Sequence, residues 1–149
     1  MTDIALTVNK ESAYEEVAQT TSYTGAKMND ELAYNRIFTT DEDKSMLERF
    51  WNESKNTACN SLKKILLNEV EREGIYQLSL GVSSSFDEAL TESMERSLFS
   101  FFVMNITAKW YTFTNKEEAT GYATEAATYM EDVMRKAFFK KRPIRPTYN

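Results

Sequence analysis

The sequence predicts a mainly α protein: a helical bundle of three long helices plus a short N-terminal helix, with a small β insertion near residues 75–82. Three observations lead there. The 149 residues contain only 4 Gly and 2 Pro, so few breakers interrupt the chain. Ser/Thr-x-x-Glu spacings recur ahead of stretches whose apolar residues repeat every three or four positions, the pattern of capped amphipathic helices. One run alone, Ile75 to Val82, alternates apolar and polar residues over a strand's length.

Residues 1–9 hold a short alternating run, Ile4, Leu6 and Val8, which reads as an edge strand or an extended arm. Asn9 or Ser12 can cap a short helix running to about Gln19, with Ser12 and Glu15 at capping-box spacing. The segment Thr20-Thr21-Ser22-Tyr23-Thr24-Gly25 is expected to stop it. Residues 22–38 are the least regular part, anchored by Tyr23, Tyr34, Ile37 and Phe38. Thr39 and Glu42 form a capping box for a helix from about Thr40 to Glu69 or Glu71. Its stripe is Leu47, Phe50, Trp51, Ser54, Ala58, Leu62, Ile65 and Leu66. The small residues in mid-stripe invite close approach by a neighbouring helix. Gly74 is expected to end this helix.

The strand 75–82 puts Tyr76, Leu78, Leu80 and Val82 on one face. It needs a partner, because one strand cannot stand alone. The 4–8 run, the loop around Tyr23 or a second copy could each supply it. Phe86 to Phe113 then reads as one helix, capped by Ser85 with Glu88. From Leu98 onward it has almost no polar side, so other elements must cover it all round. Thr114 and Glu117 open the last helix, whose expected buried stripe is Ala119, Tyr122, Ala123, Ala126, Met130, Val133, Met134 and Ala137. Residues 1–138 thus form one domain. Residues 139–149 form an extended basic tail, kept from helix by Pro143 and Pro146.

Composition narrows the chemistry. The chain has no His, which removes the commonest general base and metal ligand. Its single Cys, Cys59, allows no intrachain disulfide and no multi-cysteine zinc site. Carboxylates are plentiful, but most sit in first helical turns, where the helix dipole accounts for them. Catalytic residues, cofactor and metal are therefore expected to be absent, and the chain is read as not an enzyme. The apolar run Leu98 to Phe113 is interrupted by Asn105 and Lys109 and is shorter than the ~20 residues a membrane span needs. The chain is therefore read as soluble and made in the cytoplasm, with no membrane partner.

Net charge is −5, yet Arg135, Lys136, Lys140, Lys141, Arg142 and Arg145 come with no acid after residue 134. That end is +6, so residues 1–134 carry −11. An acidic body with a basic tail predicts that the tail docks on something negative. Phe138, Phe139, Ile144 and Tyr148 interleave with the charges and Pro143. The candidate protein-interaction residues are therefore Phe138, Phe139, Lys140, Lys141, Arg142, Pro143, Ile144, Arg145 and Tyr148. The N-terminal arm and loop add Ile4, Leu6, Val8 and Tyr23.

Two stretches, DEDKSMLERFWNESKNTACNSLKKIL (Asp41 to Leu66) and SMERSLFSFFVMNITAKWY (Ser93 to Tyr111), resemble in pattern those of tailed-phage head–tail connector proteins, also called adaptors. Thr20 to Met28, Ser83 to Asp87 and Met130 to Lys136 resemble small proteins encoded among phage structural genes. The resemblance implies a structural virion protein in the neck, synthesised in the host cytoplasm. It implies a homo-oligomeric ring, often of twelve copies, between portal and tail proteins, whose terminal segments reach into neighbours. DNA would pass through such a ring without being bound specifically, as an acidic wall would favour. Another tail component, such as a tail-completion or terminator protein, is the alternative within the virion. A cytoplasmic helical adaptor that binds an acidic partner through its basic tail is the alternative outside it.

Overall fold

In a computed structural model of the chain, residues 2–27 and 41–139 are described. They form, in order, strand β1 (Thr2–Asn9), helix α1 (Lys10–Lys27), helix α2 (Asp41–Ser61), strands β2 (Leu66–Arg72) and β3 (Ile75–Val82), a 3₁₀ turn (Glu88–Leu90), and helices α3 (Thr91–Thr114) and α4 (Lys116–Ala137). The three strands make one antiparallel sheet in the order β1-β3-β2. This corrects the expected bundle of three long helices with a small β insertion. Among the described residues four helices and a three-stranded sheet share one core, a mixed α and β architecture.

The correction originates in residues 62–72. The stretch LLNEVER, expected to prolong the second helix, is strand β2. The helix ends at Ser61, and the backbone N–H groups of Ile65 and Leu66 both bond to the carbonyl of Leu62 in a tight turn. Gly74 does not cap a helix. With Glu73 it makes the two-residue turn of a β2–β3 hairpin, both residues at positive φ (51° and 79°), as a type I′ turn requires. β3 had two edges to satisfy. β1 takes one, with Thr2 opposite Val82 through Asn9 opposite Ile75, and β2 takes the other. The strand therefore pairs within its own chain.

Alternation then sorts the residues. Ile4, Leu6 and Val8 join Tyr76, Leu78, Leu80 and Val82 on the inner face, all buried. The N-terminal run is thus an edge strand, the first of the two expected forms, with its apolar side chains turned into the core. β1 leads straight into α1, whose first turn is capped by Asn9, with Oδ1 accepting the Ser12 N–H at 3.0 Å. The helix does not stop near Gln19 but runs to Lys27. Within it Thr21 is buried, and its hydroxyl donates back to the Val17 carbonyl at 2.8 Å. A hydroxyl satisfied in this way no longer competes with the helix.

α3 begins at Thr91, five residues later than expected. Asp87 supplies a cap to the preceding 3₁₀ turn by accepting the Ala89 N–H at 3.1 Å, and Phe86 is buried ahead of it. Ten α3 residues are buried: Met94, Leu98, Phe101, Phe102, Val103, Ile106, Thr107, Ala108, Trp110 and Tyr111. They are covered by α4, α1, α2 and β1. Ser54 and Ala58 let α2 come close, and Asn105 of α3 donates to the Ser54 hydroxyl at 2.8 Å. On the other side Ser97 donates to Asp132 of α4 at 2.7 Å, and Tyr111 stacks on Tyr122 with centroids 5.5 Å apart. Thr114 is the last residue of α3, its hydroxyl on the Trp110 carbonyl, so the expected Thr114–Glu117 box does not form and Asn115 takes the N-cap position of α4.

The centre of the core is aromatic. The Phe102 ring lies 4.8 Å from Trp51 and 5.8 Å from Tyr76, joining α3, α2 and β3. Phe102→Ala should cost about 3–5 kcal/mol of unfolding free energy, the usual range for emptying such a site. Urea denaturation followed by far-ultraviolet circular dichroism measures it. A loss under about 1 kcal/mol would remove Phe102 from the centre of the core.

Candidate functional site

Two places concentrate chemistry. The first lies along the inner face of β2, where alternation directs Glu69 and Glu71 back toward α2. The Glu69 carboxylate accepts the Tyr76 hydroxyl at 2.5 Å and the Cys59 thiol at 2.8 Å. Glu71 accepts the Trp51 indole N–H at 2.9 Å and Lys55 at 2.7 Å. Lys10, at the start of α1, bonds to Glu48, which also accepts the Tyr14 hydroxyl at 2.9 Å. Four elements are tied by one polar cluster.

The electrostatics describe a lock. Hydrogen bonds from Cys59 and then Tyr76 hold Glu69 below the usual carboxylate range. Partial burial works against ionised Glu48, but bonds from Lys10 and Tyr14 outweigh it and keep it lowered too. Burial, reinforced by Glu69, pushes the Cys59 thiol up. Burial also raises the Tyr76 and Tyr14 hydroxyls, helped by the carboxylates they face. Cys59 is therefore held as a thiol, the opposite of what a nucleophile needs. Tyr14 and Tyr76 stay protonated as donors. Each carboxylate has donors facing it, and the cluster joins β2 to α1 and α2. Among the described residues no group of three or more metal-ligating side chains gathers.

The second place is where the body meets its C-terminal tail. The turn after α2 and the end of α4 enclose a groove of about 230 Å³. Leu62, Ile65, Met134 and Phe138 line it together with Asn60, Ser61, Lys63 and Lys64. Phe138 and Phe139 are 60% and 50% exposed. Just inside, Asp132 is partly buried, which works against its charge. Bonds from Lys136, Ser97 and Arg135 prevail and hold it lowered. Lys136 also donates to Ser93 at 2.6 Å, fixing the end of α4 to the start of α3.

The structure therefore brings Phe138 and Phe139 to one exposed end. Ile4, Leu6 and Val8 are buried in the core on β1, an edge strand of the sheet. Tyr23 falls on α1, and its side chain lies outside what is described. Lys140, Lys141, Arg142, Pro143, Ile144, Arg145 and Tyr148, with the Thr39 cap, Tyr34, Ile37 and Phe38, lie outside the described residues. The groove was missed because its walls come from residues some seventy positions apart. The Glu69 and Glu71 cluster was missed because those residues read as the charged end of a helix. A signal was present: E-G between two runs of strand-like alternation marks a hairpin.

Among the described residues, no helix is long and apolar enough to cross a membrane. No protein-family model, no curated protein and no solved structure matches the chain.

The lowered carboxylates predict an acid-sensitive fold. A carboxylate whose folded value is depressed contributes stability above its unfolded value, and that stability is lost as pH falls through the folded one. Unfolding free energy should therefore decline from about pH 4.5 downward. Glu69→Gln should shrink the difference between pH 7 and pH 3 in urea denaturation. An undiminished difference would show that Glu69 takes no part in the lock.

Proposed function

We propose that this chain is a structural, non-enzymatic virion protein of a tailed phage. In this reading it is a ring-forming head–tail connector subunit, standing between portal and tail and joined to its neighbours through its C-terminal end. The observation that carries the reading is the end of α4. Two consecutive phenylalanines stay exposed there and lead directly into the basic, proline-bearing sequence KKRPIRPTYN. A tail kept only for solubility has no use for paired aromatics. Aromatic and arginine side chains are the usual anchors of protein interfaces.

Two further features support it. The body carries −11 against a tail-end charge of +6, so the tail of one copy is attracted to the body of the next. The resemblance to connectors rests on the stretches that hold α2 and α3, and both are helices packed on each other. The apolar side chains of the N-terminal strand are buried in the core, so this reading puts the joining at the C-terminal end.

The test is the mass in solution, by light scattering, of the full chain and of a chain ending at Phe139. The expected result is a ring-sized oligomer for the full chain that falls to a monomer or small oligomer without residues 140–149. A full chain that stays monomeric at every concentration contradicts the ring. An unchanged ring without the tail contradicts the role of the tail.

A further inference from the structure

Phe113 closes α3 and is 67% exposed, the most exposed of the large apolar side chains among the described residues. It is not loose. Its ring stacks on buried Phe50, with centroids 6.1 Å apart and planes 12° from parallel. Just beyond it, Glu117 and Glu118 stand exposed in the first turn of α4. Lys116 shares that turn, whose net charge is −1. The molecule thus presents a fixed aromatic knob beside an acidic turn.

The groove at the opposite end of the helix pair has the complementary character. Its lining is mostly apolar, from Leu62, Ile65, Met134 and Phe138, and Lys63 and Lys64, also in the lining, are exposed. Neither lysine has an ion pair among the described residues. A volume of about 230 Å³ falls below the roughly 300–1,000 Å³ of small-molecule sites. It suits one or two side chains. The chain's own continuation is a poor occupant, because Lys140, Lys141, Arg142 and Arg145 would bring four more cations to Lys63 and Lys64.

Knob and groove cannot meet within one chain. α3 and α4 run antiparallel, with Lys136 bonded to Ser93 at the groove end and Phe113 at the other. The 24 residues of α3 separate the two ends by roughly 36 Å at 1.5 Å per residue.

We propose that Phe113 of one copy seats in the Leu62–Ile65–Met134–Phe138 groove of the next, with Glu117 and Glu118 facing Lys63 and Lys64. The occupant is a second copy of this chain. The contact joins two different patches, so it is heterologous, and repetition gives a ring where the rotation closes and a filament where it does not. This inference rests on the self-assembly proposed above and names the surfaces that carry it.

The experiment uses the full chain and two variants at exposed positions, Phe113→Asp and the pair Lys63→Glu with Lys64→Glu. Circular dichroism establishes that each is folded, and light scattering gives its mass. Each variant alone should need roughly thirtyfold or more protein to assemble, the effect of losing a dominant interface anchor. Mixed, they should form a 1:1 dimer at concentrations where each variant alone is monomeric, since one intact knob and one intact groove can then meet. A native chain that assembles while either variant assembles equally well overturns this contact and leaves the ring standing. Monomeric variants that form no dimer on mixing also overturn it. A native chain that is itself monomeric overturns both readings.

Discussion

The structure depends on the burial of α3 on almost every side. Ten of its 24 residues are buried, and no single neighbour can cover a helix so apolar. α4 takes one flank, α2 and α1 take others, and β1 crosses the remainder. Each neighbour is shaped by that demand. α2 contributes small Ser54 and Ala58 where it comes closest. α4 contributes Ala119, Ala126 and Ala137. β1 contributes the alternating Ile4, Leu6 and Val8. At about 25 cal/mol per Å² of apolar surface removed from water, such burial is the main favourable term in the fold.

The sheet follows from the same demand. A strand laid against α3 needs hydrogen-bonded neighbours, and β3 provides them for both β1 and β2. β2 then becomes an outer strand with little apolar surface of its own. Glu69 and Glu71 stay largely exposed, but their carboxylates reach back to donors on α2 and β3. Cys59, Tyr76, Trp51 and Lys55 supply them. The polar cluster at the edge of the core thus ties an acidic, largely exposed strand to the helices beside it.

Helix α3, the strand 75–82 and most of the α4 stripe were legible in the sequence because long stretches repeat one period, though Ala123, expected in that stripe, is exposed and Tyr122 and Met134 are half-buried. The errors fall where local and tertiary preferences compete. LLNEVER fits a helix by propensity, and only the unfilled edge of β3 turns it into a strand. Gly74 adopts positive φ, which suits a helix terminus and a type I′ turn alike, so its identity could not separate the two. The hydroxyls of residues 20–24 looked like helix breakers, yet buried Thr21 bonds back to its own helix. Thr114 had the right spacing for a cap but is used as the last turn of α3. Of the candidate site, Phe138 and Phe139 were readable because aromatics beside a basic tail are conspicuous. The groove beside them depends on which distant turn packs against Met134, and no local pattern encodes that.

The central claim is that one chain satisfies its own core and leaves assembly to its ends. Hydrogen–deuterium exchange measured at low and high protein concentration tests it most directly. The account predicts strong protection of α3 residues 98–111 at both concentrations. Protection gained on concentration should fall on residues 62–65, around Phe113 and beyond Phe138. Protection of α3 that appears only at high concentration would contradict the account, because the central helix would then be completed by other subunits.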